Sequence, residues 1–175
     1  MAGCTRSVLD VPLLVILRHA KSAWPDGVAD HDRPLAPRGQ RDAPAAGQWI
    51  YARVGVPQRI VCSTAKRTRQ TLELAGNNWP EEFVVEYSDR VYAASAEDLI
   101  SVAATASADC EVQLLVSHNP GCADAVLALG GRTGALAAAV EQKFPTSAVA
   151  VLEIPDWSQL RPGCGSLIDF AVPRG

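Results

Sequence analysis

The chain has 175 residues, 48% of them apolar and 20% charged, with a formal net charge of −3. That length suits one domain with a sizeable core, and the balance is that of a globular protein, not a disordered one. The net charge gives no support to a nucleic-acid partner; basic residues do gather at Lys66-Arg67-Thr68-Arg69, which suits a small anion better than a polyanion.

Residues 1–12 hold no apolar core long enough for a signal peptide, and are read as a flexible arm ahead of a single domain over 13–175. No apolar run reaches the length of a membrane span, so the expectation is a cytoplasmic protein with no membrane partner. The five cysteines, Cys4, Cys62, Cys110, Cys122 and Cys164, are odd in number and form no CxxC or CxxxC pair. Reduced, mostly buried thiols are expected, without a disulfide framework or a zinc site.

Leu13–Leu17 is an aliphatic run of strand length, of the kind buried on both faces of a parallel sheet. Pro37 to about Arg53 carries Ala45, Ala46, Trp49 and Ile50 on one helical stripe. Pro44 interrupts it, so a kink or a restart capped by Asp42 is expected there. Arg59–Cys62 reads as a strand and Thr64–Ala75 as a helix ended by Gly76-Asn77-Asn78. Phe83–Glu86 is a third strand, Ala96 to about Ala106 a helix, Val112–Val116 a strand and Asn119–Leu129 a helix closed by Gly130-Gly131. Gly130–Thr146 is the most loop-like stretch, with a short helix over Ala135–Val140. Ala148–Ile154 and Leu167–Val172 then read as an antiparallel pair at a sheet edge. The alternation predicts an α/β three-layer sandwich: a largely parallel central sheet, helices on both faces, and an antiparallel C-terminal strand pair.

Ligands bind at the carboxyl ends of strands in such sheets. Two of the three histidines stand there, in LRHAKS after the first strand and in SHNPG after Val112–Val116. Arg18 precedes one of them. Arg67 falls in the first turn of the helix opened by STAKRTRQT, at the same rim. Two guanidinium groups and two imidazoles at one rim suit a phosphoryl group, whose oxygens match arginine's planar fork. Helix N-termini at Thr64 and Asn119 would add N–H donors, with Pro120 at a first helical position. One imidazole could attack phosphorus through its lone pair while the other donates to the phosphoryl oxygens.

RHAKS, DHDRPLAPRG, S-x-A-x-R-T-x-x-T, SHNPG and KFPTSAVAVLEI, in this order, resemble the histidine phosphatase (phosphoglycerate mutase-like) superfamily, and most closely its compact SixA-type phosphohistidine phosphatases. The resemblance runs from about Leu13 to Pro173. It implies that His19 is the nucleophile that becomes phosphohistidine, that Arg18 and Arg67 bind the phosphate, and that His118 completes the pocket. It further implies that Ser22 lines the pocket, that the Asn119 backbone N–H contributes, and that water hydrolyses the intermediate.

The carboxylate that many superfamily members use as general acid is missing: Tyr92 stands at roughly its place in EYSDRVYAASAEDL, with Asp89 before it. An alkyl phosphate needs its leaving oxygen protonated, whereas phosphohistidine leaves as a basic imidazole. Protein phosphohistidine is therefore the expected substrate. A small phosphomonoester, acyl or aryl phosphate is the alternative, and a non-catalytic phospho-ligand module a second. Only Ala23–Pro37 and Gly130–Thr146 could overhang the site, so it is expected to be open. No metal or organic cofactor is expected, since arginines supply the positive charge.

Other residues carry two readings each. Lys21 is a rim cation or simply solvated, and Asp26 a substitute proton donor or a solvated loop carboxylate. Arg33 orders its loop or touches substrate, and Asp32 pairs with Arg38. His31 is expected at the surface and not in a metal site. Of the four tryptophans, only Trp24 is a candidate for substrate contact.

Overall fold

A computed structural model describes residues 11–80 and 83–175. Nearly all of the expected N-terminal arm, Cys4 included, lies outside the described residues.

Among these residues six strands form one sheet in the order β3-β2-β4-β1-β5-β6. They are β1 (Leu13–Arg18), β2 (Arg59–Ser63), β3 (Val85–Ser88), β4 (Val112–Ser117), β5 (Val149–Glu153) and β6 (Ser166–Ala171). The β1–β4, β4–β2 and β2–β3 pairs are parallel, whereas β5 is antiparallel to both β1 and β6. Among the described residues five helices flank the sheet: α1 (Pro37–Val54), α2 (Lys66–Gly76), α3 (Ala96–Ala103), α4 (Gly121–Gly130) and α5 (Ala135–Gln142).

Side chains alternate across β1, and the core divides accordingly. Leu13, Val15 and Leu17 pack with Ala46 and Ile50 of α1 and Leu72 of α2. Leu14 and Ile16 pack on the other face with Leu99 of α3, Val126 of α4 and Val140 of α5. The expected three layers follow. The strand after β1 lies on one side of it, beyond β4, and the strand after β4 lies on the other side, beyond β1. The loops leaving β1 and β4 therefore diverge to opposite faces, and this opens a crevice between their carboxyl ends.

Several local expectations are corrected. α1 runs unbroken through Pro44, and its N-cap is Ala36 with Pro37 in the first turn. Asp42 caps nothing: its carboxylate is buried and accepts from Arg174 Nη1 at 2.9 Å, with Arg38 Nε at 3.7 Å. Asp32 accordingly faces His31 at 3.6 Å and not Arg38. Helix α2 starts at Lys66 with Ala65 as its N-cap, two residues after Thr64. Helix α4 starts at Gly121, with Pro120 as the residue before it and not the first helical one. β3 lies two residues later than expected, because pairing with β2 sets its register (Ile60 opposite Val85) and leaves Val84 85% exposed. Of the described cysteines all four are free, and Cys62, Cys110 and Cys122 are buried. No described helix is long and apolar enough to cross a membrane.

Candidate active site

The register of the sheet brings the predicted residues together. Arg18 pairs with Ser117, and the His19 N–H donates to the Ser117 carbonyl at 3.0 Å. The next residue on each strand is thus a histidine, and the His19 and His118 rings lie 5.1 Å apart, both nearly buried. Ser63, one residue past the Cys62–Val116 pair, meets His118 Nε2 at 2.8 Å. The two threonines of S-x-A-x-R-T-x-x-T tie α2 to this rim. Thr68 Oγ1 donates to the Ser63 and Ala65 carbonyls. Thr71 Oγ1 accepts the Ala20 N–H at 2.9 Å and donates to the Arg67 carbonyl. Gly39 lets α1 lie directly on the backbone of Lys21, where a Cβ would overlap the Lys21 carbonyl.

β5 explains the rest of the pocket. An antiparallel strand begins where its neighbour ends, so the residues leading into β5 arrive at the tip of β1. There Arg18 Nη1 donates to the Phe144 carbonyl at 2.7 Å, and Asn119 Nδ2 donates to the same oxygen at 3.0 Å. The Ser147 N–H reaches the Arg18 and His19 carbonyls, each at 3.2 Å. Arg18 Nε is buried with no acceptor in the protein, which is the condition of a donor suited to an anion's oxygen.

His19 Nδ1 lies 2.7 Å from the Ala20 carbonyl. A carbonyl only accepts, so Nδ1 carries the proton and Nε2 keeps its lone pair. Burial, reinforced by Arg67, Arg18 and Arg33, pushes this imidazole down to about 4. His118 differs from expectation. Its Nδ1 is 3.1 Å from Arg67 Nη2, and arginine only donates. Nδ1 is thus unprotonated, Nε2–H donates to Ser63 Oγ, and in this state neither nitrogen is free to donate to a ligand. Burial, then the neighbouring His19 and Arg67, push His118 down to about 3.

These two shifts make a testable demand on stability. The unfolded chain protonates its histidines near 6.5, and the fold holds both neutral. Their contribution is complete above pH ~6.5 and is lost as pH falls from there through the folded values. Urea unfolding should therefore show about 2 kcal/mol less stability per buried histidine at pH 5 than at pH 7. His19→Asn should remove about half of that drop, and an identical pH profile in wild type and variant would refute the assignment.

The segment Ala23–Pro37 folds over this rim through a one-turn 3-10 helix, Asp30–Asp32. Arg33 is buried, and it both orders the loop and faces the site: Nε donates to the Ala23 carbonyl at 3.0 Å, and Nη2 to Ser22 Oγ at 2.6 Å. Ser22 is buried at the pocket, with its hydroxyl taken by Arg33. Trp24 is 73% exposed, with the Arg33 guanidinium 3.1 Å from its ring centre. The Tyr92 ring lies edge-on to His118 at 5.4 Å, and its hydroxyl proton is committed to Asp30 Oδ2 at 2.9 Å. That carboxylate raises the phenol above its ordinary value. His31 is half-buried at the rim, with Nε2 2.9 Å from Thr64 Oγ1 and its ring 5.0 Å from Tyr92. Lys21 and Asp26 are exposed, and neither side chain is bonded to these residues.

Three groups at the site are additions to the sequence-based set: Ser63, the Phe144 carbonyl and Asp30. Ser63 opens a quoted motif and was within reach of sequence reading. A backbone carbonyl leaves no trace in sequence. Asp30 stands in a loop with Asp26 and Asp32 nearby, and nothing local singles it out.

The histidine phosphatase superfamily (branch 1) family model matches residues 14–90. An uncharacterized protein of Mycobacterium tuberculosis (strain ATCC 25618 / H37Rv) is 41% identical over 162 residues, which span 90% of this chain and 100% of that protein. A candidate phosphohistidine phosphatase SixA of Nakamurella multipartitia superposes with a TM-score of 0.84 at 30% identity, covering 94% of this chain and 98% of its own. Its counterpart from Agrobacterium tumefaciens gives 0.78 at 30% identity, covering 93% and 99%.

Proposed function

The chain belongs to the histidine phosphatase superfamily, in its SixA-type branch, and is a phosphatase; we propose that it hydrolyses protein phosphohistidine through a covalent intermediate on His19. One observation carries this reading: a neutral His19, with Nδ1 tied to Ala20, presents Nε2 beside His118 and within the field of Arg67, Arg18 and Arg33.

In the first step the Nε2 lone pair forms a bond to phosphorus while the substrate's P–N bond breaks. The pair from that bond stays on the leaving imidazole, which takes a proton from solvent. Arg18, through Nε, and Arg67 bear the charge on the phosphoryl oxygens as the transition state is reached. His118 acts here as a positioning residue that holds Arg67 through Nδ1. In the second step water attacks phosphorus, the P–N bond to His19 breaks, and inorganic phosphate leaves with Nε2 free again. A basic leaving nitrogen fits a site where the Tyr92 hydroxyl is bonded to an ionised Asp30.

Beside the pocket, a cleft of about 350 Å³ runs between His31 and the start of α2, with Lys66 and Arg69 on its wall. It gives room for a side chain presented by another protein. Purified protein assayed against a phosphohistidine protein, an aryl phosphate and sugar phosphates should prefer the first by at least about tenfold in kcat/KM. Faster turnover of sugar phosphates would reject this substrate and leave a small-molecule phosphatase. No turnover and no covalent label with any of them would leave a binding module.

A further inference from the structure

Asp30 is half-exposed, yet its carboxylate turns inward. Oδ1 accepts from Arg33 Nη1 at 2.7 Å, and Oδ2 accepts from Arg67 Nη2 at 3.0 Å and from the Tyr92 hydroxyl at 2.9 Å. Both guanidinium side chains are only 7% exposed. Cations placed so deeply need a counter-charge, and among the described residues Asp30 is the one carboxylate that pairs with either. Arg33, then Tyr92 and Arg67, hold its carboxyl well below the usual carboxylate range, so it stays ionised.

Neither arginine depends on that carboxylate for its position. Arg33 is also anchored on the Ala23 carbonyl and Ser22 Oγ. Arg67 is also anchored on the Asp30 backbone carbonyl at 2.5 Å and on His118 Nδ1. What the carboxylate adds is negative charge, set against Arg33 Nη1 and Arg67 Nη2 at the rim of the pocket. Three of the five Arg67 N–H groups are already directed to Asp30 and His118, so an anion that takes the Nη2 edge has to share it with Asp30.

Building on the phosphatase reading, we propose that Asp30 is the resident counter-anion of the pocket: it shares Arg33 and Arg67 with the phosphoryl group and so weakens the hold on inorganic phosphate, speeding product release. Removing the charge should leave the arginines in place and strengthen anion binding.

The test is calorimetric titration of the wild type, Asp30→Asn, Asp30→Ala and Asp30→Ser with inorganic phosphate, paired with product inhibition of aryl-phosphate turnover. The folded variants should bind phosphate about tenfold more tightly than the wild type, with inhibition constants lowered by a similar factor. Equal or weaker binding in the variants, beside normal wild-type binding, overturns the role of Asp30 and leaves the phosphatase reading standing. Loss of the fold in all three variants also overturns it, because the carboxylate would then be needed to hold the arginines. A wild type that binds no phosphate while the folded variants bind it bears the role out, whereas no phosphate binding by any of the four proteins, together with no turnover, overturns both readings.

Discussion

His19→Ala should lower kcat/KM by at least about 10⁴-fold, to the uncatalysed background, because it removes the atom that accepts the phosphoryl group. The wild type quenched during turnover of a radiolabelled substrate should carry phosphate on His19, labile in acid and stable in base, as a P–N bond is. The variant should carry none. Folding is a separate matter: the only hydrogen bond of the His19 ring among the described residues is to the Ala20 carbonyl, within its own turn, and beyond it the ring packs against His118. A circular dichroism spectrum like that of the wild type is expected alongside the lost activity. Label recovered on a residue other than His19, or turnover retained within about tenfold, would end the covalent mechanism proposed here.

Arg67→Lys should cost about 10²-fold in kcat/KM and Arg67→Ala about 10³-fold, although lysine keeps the charge. The reason is geometric. One guanidinium reaches the Asp30 carbonyl, the Asp30 carboxylate and His118 Nδ1 together, and a single ammonium cannot span them. Both kcat and KM should worsen, since the fork holds the anion in the ground state and in the transition state. Arg67 is also among the causes that hold His118 low. In Arg67→Ala an NMR titration should therefore find the His118 imidazole shifted upward, still below its ordinary value because burial is the larger cause. An unmoved His118, or a lysine variant with full activity, would show that Arg67 does not act at this site as proposed.

Much of this protein was legible before any coordinates. The aliphatic run Leu13–Leu17 announces a strand covered on both faces, and burial at 0% from Leu14 to Leu17 follows from its place beside the sheet centre. Strand ends carrying Arg18-His19 and Ser117-His118 pointed to one rim, because parallel strands finish on the same side of a sheet. The chemistry of two guanidinium groups with two imidazoles also needs no coordinates to suggest phosphate. The resemblance to the family set Tyr92 at roughly the general acid's place. It could not set the direction of the hydroxyl.

What the tertiary structure alone decided is which long-range partners occupy each polar atom. Arg18 meets a backbone carbonyl 126 residues away, since an antiparallel β5 starts at the tip of β1; local pattern encodes neither strand order nor that meeting. His118 accepts from Arg67 instead of standing ready to donate, an outcome set by the meeting of the first turn of α2 with the end of β4. Asp30 reads in sequence like any loop aspartate and becomes the shared partner of two buried arginines only when Ala23–Pro37 folds back over the rim. Hydrophobic periodicity determines elements because burial acts on every residue in a run. Hydrogen-bond pairing depends on positions fixed to within an ångström, and only the packed layers supply these.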